Sequence, residues 1–423
     1  MPLDRRIAPD FQTIQTVHFP TPQKVVLDNQ MPLYVINLGE QPVVRLEVVF
    51  NAGGRHETLK GTSSFMTKML SEGTKQRSSA EISERFDEIG AFTDFSANAD
   101  RANFVVYGLT KHLPQILTLI NELLHEATFP ENEFENLKNV SLQSLRVNLE
   151  KNGYVATTQF RERVFGLNHP YGHSQTEIAI QNLNVENLRE FYNQFVLNQP
   201  FRVFLSGKIT ETEISLVNQH LGQNQIMANE LEIKPLEAAT RLEPFWLDKP
   251  DAVQSSLRLG RRLFTRQHPD FYPFLVANAI LGGYFGSRLI KNIREEKGLT
   301  YSISSGVALL REDGLWTINA DVKKESVQLI LEEIAHEINI LQTELVGDDE
   351  LETVKNYLSG EFAGSLNTPF EIADRVRLMV LEDLHLDYYE QHIARLRAVS
   401  AEEIRGIAQK YWQPVDLLQV VVG

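Results

Sequence analysis

The chain has 423 residues, 42% of them hydrophobic and 23% charged, with no cysteine and a formal net charge of −15. This excludes wholesale disorder, a disulfide framework, a thiolate metal site and a thiol nucleophile. The acidic balance argues against nucleic-acid binding, which needs Lys and Arg to neutralise phosphates, and no basic run exceeds two residues, as at Arg261-Arg262 with Arg258 and Arg266 nearby.

In chain order, the first clear element is a strand in which Val44, Leu46, Val48 and Phe50 alternate with Arg45 and Glu47, the pattern of a half-buried strand. Ser78-x-x-Glu81 is a capping box ahead of Ile82, Phe86 and Ile89, which share one helical face. Gly90 comes next, suited to a left-handed helix cap. Ala102–Tyr107 reads as strand, Leu113–Ala127 as helix and Glu131–Glu150 as a longer helix. Leu188, Phe191 and Phe195 mark a further helix, and the apolar strand Phe201–Gly207 comes after it. A polar stretch opens at Gly222 and is punctuated by Pro235, Pro244 and Pro250, as in a linker. Beyond it, Ser302–Gly306 and Leu315–Ala320 read as strands, and Glu325–Leu341 and Asp348–Ser359 as helices.

The second half repeats the first. The helix–strand–Gly unit from Val185 to Gly207 returns from Ala401 to Gly423, an offset of 216 residues. Pro130–Asn139 pairs with Gly347–Asn356 at an offset of 217, and Phe86–Gly90 with Arg294–Gly298 at 208. A duplicated unit of roughly 200 residues explains these matches together. The fold class is therefore α+β, with two homologous lobes, each a mainly antiparallel sheet packed against helices. The expected division is a first lobe over 1–221, a linker over 222–248 and a second lobe over 249–423. No run of about 18 apolar residues marks a membrane span. Met1–Arg6 does not lead into a signal-peptide apolar run, so a cytoplasmic location is expected, or a periplasmic one if a signal peptide has been removed.

Several runs resemble one family. Asn51–Glu57, Gly61–Thr74 and Asn168–Gly172 are similar to the pitrilysin/insulinase-type metallopeptidases, as are Ser287-Arg288-Leu289 and Ile293–Ser302. That family includes mitochondrial processing peptidases and the core proteins of a respiratory complex. In its active members a His-x-x-Glu-His helix holds zinc and activates a water. Here the matching positions are Ser64, Thr67 and Lys68. Ser and Thr are poor zinc ligands, Lys68 adds positive charge, and no carboxylate remains as base. The position of the family's third ligand falls in Leu142–Leu145, which holds no Glu; Glu135 and Glu150 lie off it. The resemblance therefore implies a degenerate zinc motif and no cofactor in this chain. His56-Glu57, His125-Glu126 and His336-Glu337 complete no alternative metal motif, and His169 and His173 straddle Pro170 and Gly172, so surface or core roles are expected for these histidines. Gly282–Gly286 lacks the Lys-Ser/Thr of a phosphate loop and reads as a tight turn into a helix.

The second-half motif is intact. Arg294 and Tyr301 stand seven residues apart around Gly298. The resemblance implies that such a pair binds the substrate carbonyl and stabilises its oxyanion across a cavity from the zinc. A guanidinium and a phenol are suited to this, since both donate hydrogen bonds without bringing negative charge. The first-half counterparts are Phe86 and Thr93. Some bacterial members work as heterodimers in which one subunit carries zinc and the other keeps only the Arg/Tyr pair. The chain resembles that second subunit: inactive alone, supplying Arg294 and Tyr301 to a zinc-bearing homologous partner that hydrolyses peptides. The alternative is a non-catalytic scaffold or peptide-binding protein like the respiratory core proteins. A stand-alone peptidase with an unrecognised metal is a third reading, opposed by the missing ligands.

Overall fold

The computed structural model describes residues 13–226 and 240–423. It contains two sheets. The first has six strands in the order β1-β2-β6-β3-β5-β4: β1 Gln23–Val26, β2 Pro32–Asn37, β3 Val43–Phe50, β4 Phe92–Ala97, β5 Ala102–Leu109 and β6 Phe201–Gly207. The second has five in the order β7-β11-β8-β10-β9: β7 Phe245–Leu247, β8 Gln254–Leu263, β9 Thr300–Leu309, β10 Gly314–Lys323 and β11 Leu418–Val422. Apart from β1, the two orders are the same. Each sheet has one parallel pair, β2 with β6 and β7 with β11, and is otherwise antiparallel. The offset repeat in the sequence is thus a repeat of topology.

Local signals behave as expected. Ser78 and Glu81 form the capping box of the helix Ser79–Glu88, which buries Ile82 and Phe86. Gly90 and Gly298 adopt left-handed backbone, at φ +59° and +61°. The helix Glu131–Glu150 has the expected bounds. The helix Asp348–Gly364 runs five residues beyond the expected end, because the sequence through Gly364 contains no proline to stop it.

The halves are not two separate packings. The helix Asn152–Phe165, from the first half, lies on β8 and β11 of the second sheet. There Ala156, Phe160 and Val164 pack with Leu418, Val420 and Val422. The helix Pro369–Leu381, from the second half, lies on β2 and β6 of the first sheet. Ile36, Val49 and Phe204 of that sheet join the core of the second lobe. The two helices occupy matching places in the repeat, so the exchange is reciprocal.

This exchange corrects the reading of β3 as a half-buried strand. Arg45 and Glu47 are 5% and 2% exposed, since the face expected to meet water meets the exchanged helix. The charges pair there: Arg45 with Glu47 at 2.9 Å and Asp374 at 2.8 Å, and Arg377 with Glu47 at 2.7 Å. Burial disfavours the Arg45 cation, but Glu47 and Asp374 outweigh it and leave the guanidinium more strongly protonated than usual.

Other boundaries also cross. Of the expected linker, residues 227–239 lie outside the described residues, while Phe245–Leu247 is strand β7 of the second sheet. The segment at Ile14–Phe19, expected with the first lobe, packs on the second, with Phe19 5.3 Å from the Tyr389 ring and the Ile14 carbonyl accepting from Arg397 at 2.8 Å. Among the described residues, no helix is long and apolar enough to cross a membrane.

Candidate functional site

The helix Thr62–Met69 carries the three positions expected to be degenerate. Its N-terminus is capped by Glu57, whose carboxylate accepts from the Gly61 and Ser63 amides at 2.9 and 2.7 Å. Burial pushes the Glu57 carboxyl above its ordinary range, against the pull of those two bonds. Thr67 is fully buried, and its hydroxyl donates to the Ser63 carbonyl at 2.8 Å. Ser64 is half-buried and Lys68 exposed. Phe65 faces Phe134 of the neighbouring helix Glu131–Glu150 at 6.1 Å. Along that helix, Leu145 is buried, Gln143 and Ser144 are exposed, and Glu135 pairs with Lys138 at 3.7 Å. Among the described residues, no three or more His, Cys, Asp or Glu side chains gather closely enough to hold a metal ion. The donor set on this helix pair does not fit zinc.

His56 and His169 are built into the fold. His56 stacks on Phe195 at 5.0 Å, and His169 on Phe165 at 5.1 Å. The His169 Nδ1 accepts the Tyr171 amide at 3.1 Å. The runs around them form a joint between the lobes. Tyr171 donates to Asp100 at 2.9 Å, and Arg55 reaches Asp100 at 3.4 Å and the second lobe's Glu312 at 2.5 Å. Gly53 is required here, because a Cβ would come within 2.2 Å of the Asp100 backbone.

The structure brings Arg294 and Tyr301 together. Arg294 lies on the helical turn Ile290–Glu296, which is wound more widely than an α-helix: the Lys297 amide reaches back five residues to the Asn292 carbonyl at 3.1 Å. Such widened turns are common at functional sites. The turn is anchored on both sides. Asn292 donates to Glu337 at 2.7 Å and to Glu333 at 3.1 Å. Just before it, Arg288 grips Glu350 with two bonds, at 3.0 and 2.7 Å, and Leu289 is fully buried. Gly298 turns the chain into edge strand β9. There Thr300 pairs with Val322 and Ser302 with Asp321, so Tyr301 is the extra residue of a β-bulge. The Thr300 hydroxyl pins the bulge by donating to the Asp321 carbonyl at 2.6 Å. A bulge re-aims its side chain, and Tyr301 is 85% exposed. It faces solvent and not a cavity closed by this chain.

The Arg294 guanidinium carbon lies 5.1 Å from the centroid of the Tyr301 ring and 5.1 Å from that of Phe285. Among the described residues, no carboxylate comes within 4 Å of it, so its donors are not committed to an ion pair. Phe285 is 66% exposed and shares the Arg294 guanidinium with Tyr301. The sequence hid it inside the run Gly282–Gly286, whose glycines drew attention to the turn. The signal that could have found it is a lone aromatic at the tip of a turn leading into the Arg294 helix.

Two sequence profiles of one peptidase family match the chain: the "Insulinase (Peptidase family M16)" profile over residues 34–169 and the "Peptidase M16 inactive domain" profile over 182–358. A Bacillus subtilis protein named as an uncharacterized zinc protease, YmxG, is 25% identical over 394 residues, spanning 92% of this chain and 93% of that protein. Two crystal structures share the fold. A peptidase M16 inactive domain from Pseudomonas fluorescens superposes with a TM-score of 0.84 at 22% identity, covering 95% of this chain and 98% of that one. A protease from Helicobacter pylori gives 0.85 at 16% identity, covering 96% and 100%. With matching profiles on both halves, a shared fold and no His-x-x-Glu-His anywhere in its sequence, the chain belongs to peptidase family M16 as a member that lacks the zinc motif.

Proposed function

We propose that the chain is the zinc-less subunit of a two-subunit M16-type peptidase, contributing Arg294 and Tyr301 to a site completed by a zinc-bearing homologue. The observation that carries this reading is the state of Arg294: flanked by two exposed rings, free of any carboxylate within 4 Å among the described residues, and set on an anchored turn. Arg45, Arg55 and Arg288, which tie elements of the fold together, are by contrast paired with carboxylates. The guanidinium and the phenol would donate to the carbonyl oxygen of a peptide and to the negative charge that develops on it. Metal and hydrolytic water belong to the partner in this reading, because Ser64, Thr67 and Lys68 offer neither ligand nor base. The cytoplasm, where a chain without cysteine has nothing to lose by reduction, is the proposed compartment.

Co-expression with a zinc-bearing M16 homologue from the same genome tests this. The expected result is a stable complex that cleaves unstructured peptides, while this chain alone cleaves none. A complex that forms but adds nothing to the partner's cleavage would instead support the scaffold reading.

A further inference from the structure

A second site lies in the second lobe. A half-open cavity of about 430 Å³ is lined by β9 and by the helices Phe271–Asn278, Asp348–Gly364, Pro369–Leu381 and His392–Ala398. It meets β9 at Val307 and Leu309. Val307 is six residues along the strand from Tyr301, about 20 Å, so the cavity is separate from the Arg294/Tyr301 pair.

Two features of its lining bear on a ligand. Tyr388 and Tyr389 are only 7% and 3% exposed, and neither hydroxyl makes a hydrogen bond of normal geometry, although Tyr388 lies beside Tyr272 and Tyr389 beside Arg375. Buried hydroxyls are ordinarily satisfied in good geometry, and two poorly met ones in one cavity leave donor capacity for a ligand. Arg375 also lines the cavity, and among the described residues no carboxylate lies within 4 Å of its guanidinium. One of its N–H groups donates to the Ser365 hydroxyl at 3.0 Å, and its guanidinium carbon lies 5.6 Å from the centroid of the Tyr389 ring. Arg266, across the cavity, is by contrast committed to Glu382 at 2.9 Å. The rest of the wall is largely apolar, including Phe271, Leu358 and Leu396.

We propose that this cavity binds a small organic carboxylate with an apolar body. A planar guanidinium can hold a carboxylate through two parallel bonds, and the tyrosine hydroxyls supply further donors. Burial raises the pKa of both tyrosines, so each hydroxyl keeps its proton to donate. His392, on the same wall, is held neutral near pH 7 by burial and by the surrounding arginines. The one carboxylate among the described lining residues, Glu361, is exposed to solvent. The apolar walls disfavour inorganic phosphate, which would lose its hydration without recovering it, and they suit a hydrocarbon body.

The test is calorimetric titration of the full chain with 3-phenylpropanoate, its uncharged amide and inorganic phosphate. The acid should bind saturably in the millimolar range or tighter, one per chain, and the amide and phosphate should not. Arg375→Met should weaken binding about tenfold or more, the worth of a charge-assisted pair. Tyr389→Phe should weaken it severalfold while the chain stays folded, because it removes one donor and keeps the ring. If Arg375→Met fails to fold, Tyr389→Phe carries the test. No saturable binding of the acid would overturn the proposal, as would equal binding of the amide, binding of phosphate in its place, or affinity for the acid unchanged in the variants. None of these outcomes depends on peptide cleavage, so the proposal and the peptidase reading fail separately.

Discussion

The carboxylate of Asp374 lies 2.8 Å from the guanidinium of Arg45, although the two residues belong to opposite halves of the repeat. With Glu47 and Arg377 they form a buried network where an exchanged helix meets the first sheet. Glu47→Ala would leave Arg45 buried with half its compensation. We expect a loss of about 3–5 kcal/mol, read from the denaturant midpoint. Replacing Arg85, whose exposed pair with Glu88 lies on a helix surface, should leave the midpoint unchanged.

The same exchange predicts how the halves unfold. Val420→Ala on β11 removes side-chain volume against the first-half helix Asn152–Phe165 and should lower the stability of both lobes together. The cost should be about 1–3 kcal/mol, from a fully buried Val losing two methyl groups. A single cooperative transition by circular dichroism and by tryptophan fluorescence is the expected result. Two separated transitions would mean that the lobes are independent.

Acid should destabilise the fold through His392. Burial, then Arg375, Arg266 and Arg395, lowers its pKa from 6.5 to about 4. Between those values the unfolded chain binds more protons than the folded one, so stability falls as pH drops from 6.5 to about 4 and levels off below. The loss from this group should be ~3 kcal/mol. His173, lowered to about 4 by burial and then by Lys60 and Arg161, acts in the same direction. Urea titrations at pH 7, 5.5 and 4.5 measure the slope, and His392→Phe should flatten part of it.

Much of this architecture was legible in the sequence because it rests on local patterns. The capping box at Ser78, the left-handed glycines Gly90 and Gly298, and the offset repeat all depend on neighbours within a few residues or on copying. The helix exchange was not legible. An amphipathic helix such as Asn152–Phe165 shows that it has an apolar face, not whose sheet that face will cover. Arg45 and Glu47 looked solvent-facing for the same reason, since the groups they meet on the exchanged helix lie more than 300 residues away. At the site, the seven-residue spacing pointed to Arg294 and Tyr301, but the bulge that turns Tyr301 outward depends on its pairing with β10. Phe285 was hidden because only the folded turn places it beside Arg294.

Phe285 gives its own prediction. A ring beside a half-exposed guanidinium is worth about 0.5–1 kcal/mol. In a reconstituted pair, Phe285→Ala should lower turnover severalfold, and Phe285→Tyr should restore it. Arg294→Ala should cost more and also weaken substrate binding, because it removes the charge itself.

The most direct test of the central claim is the turnover of Tyr301→Phe in complex with a zinc-bearing partner, measured at equal complex concentration. The substitution keeps the ring beside Arg294 and removes only the phenolic donor. Assembly should be unchanged and kcat should fall by about 10²-fold, the usual consequence of losing one oxyanion donor. A Tyr301→Phe complex that assembles and cleaves at the parental rate would contradict the account.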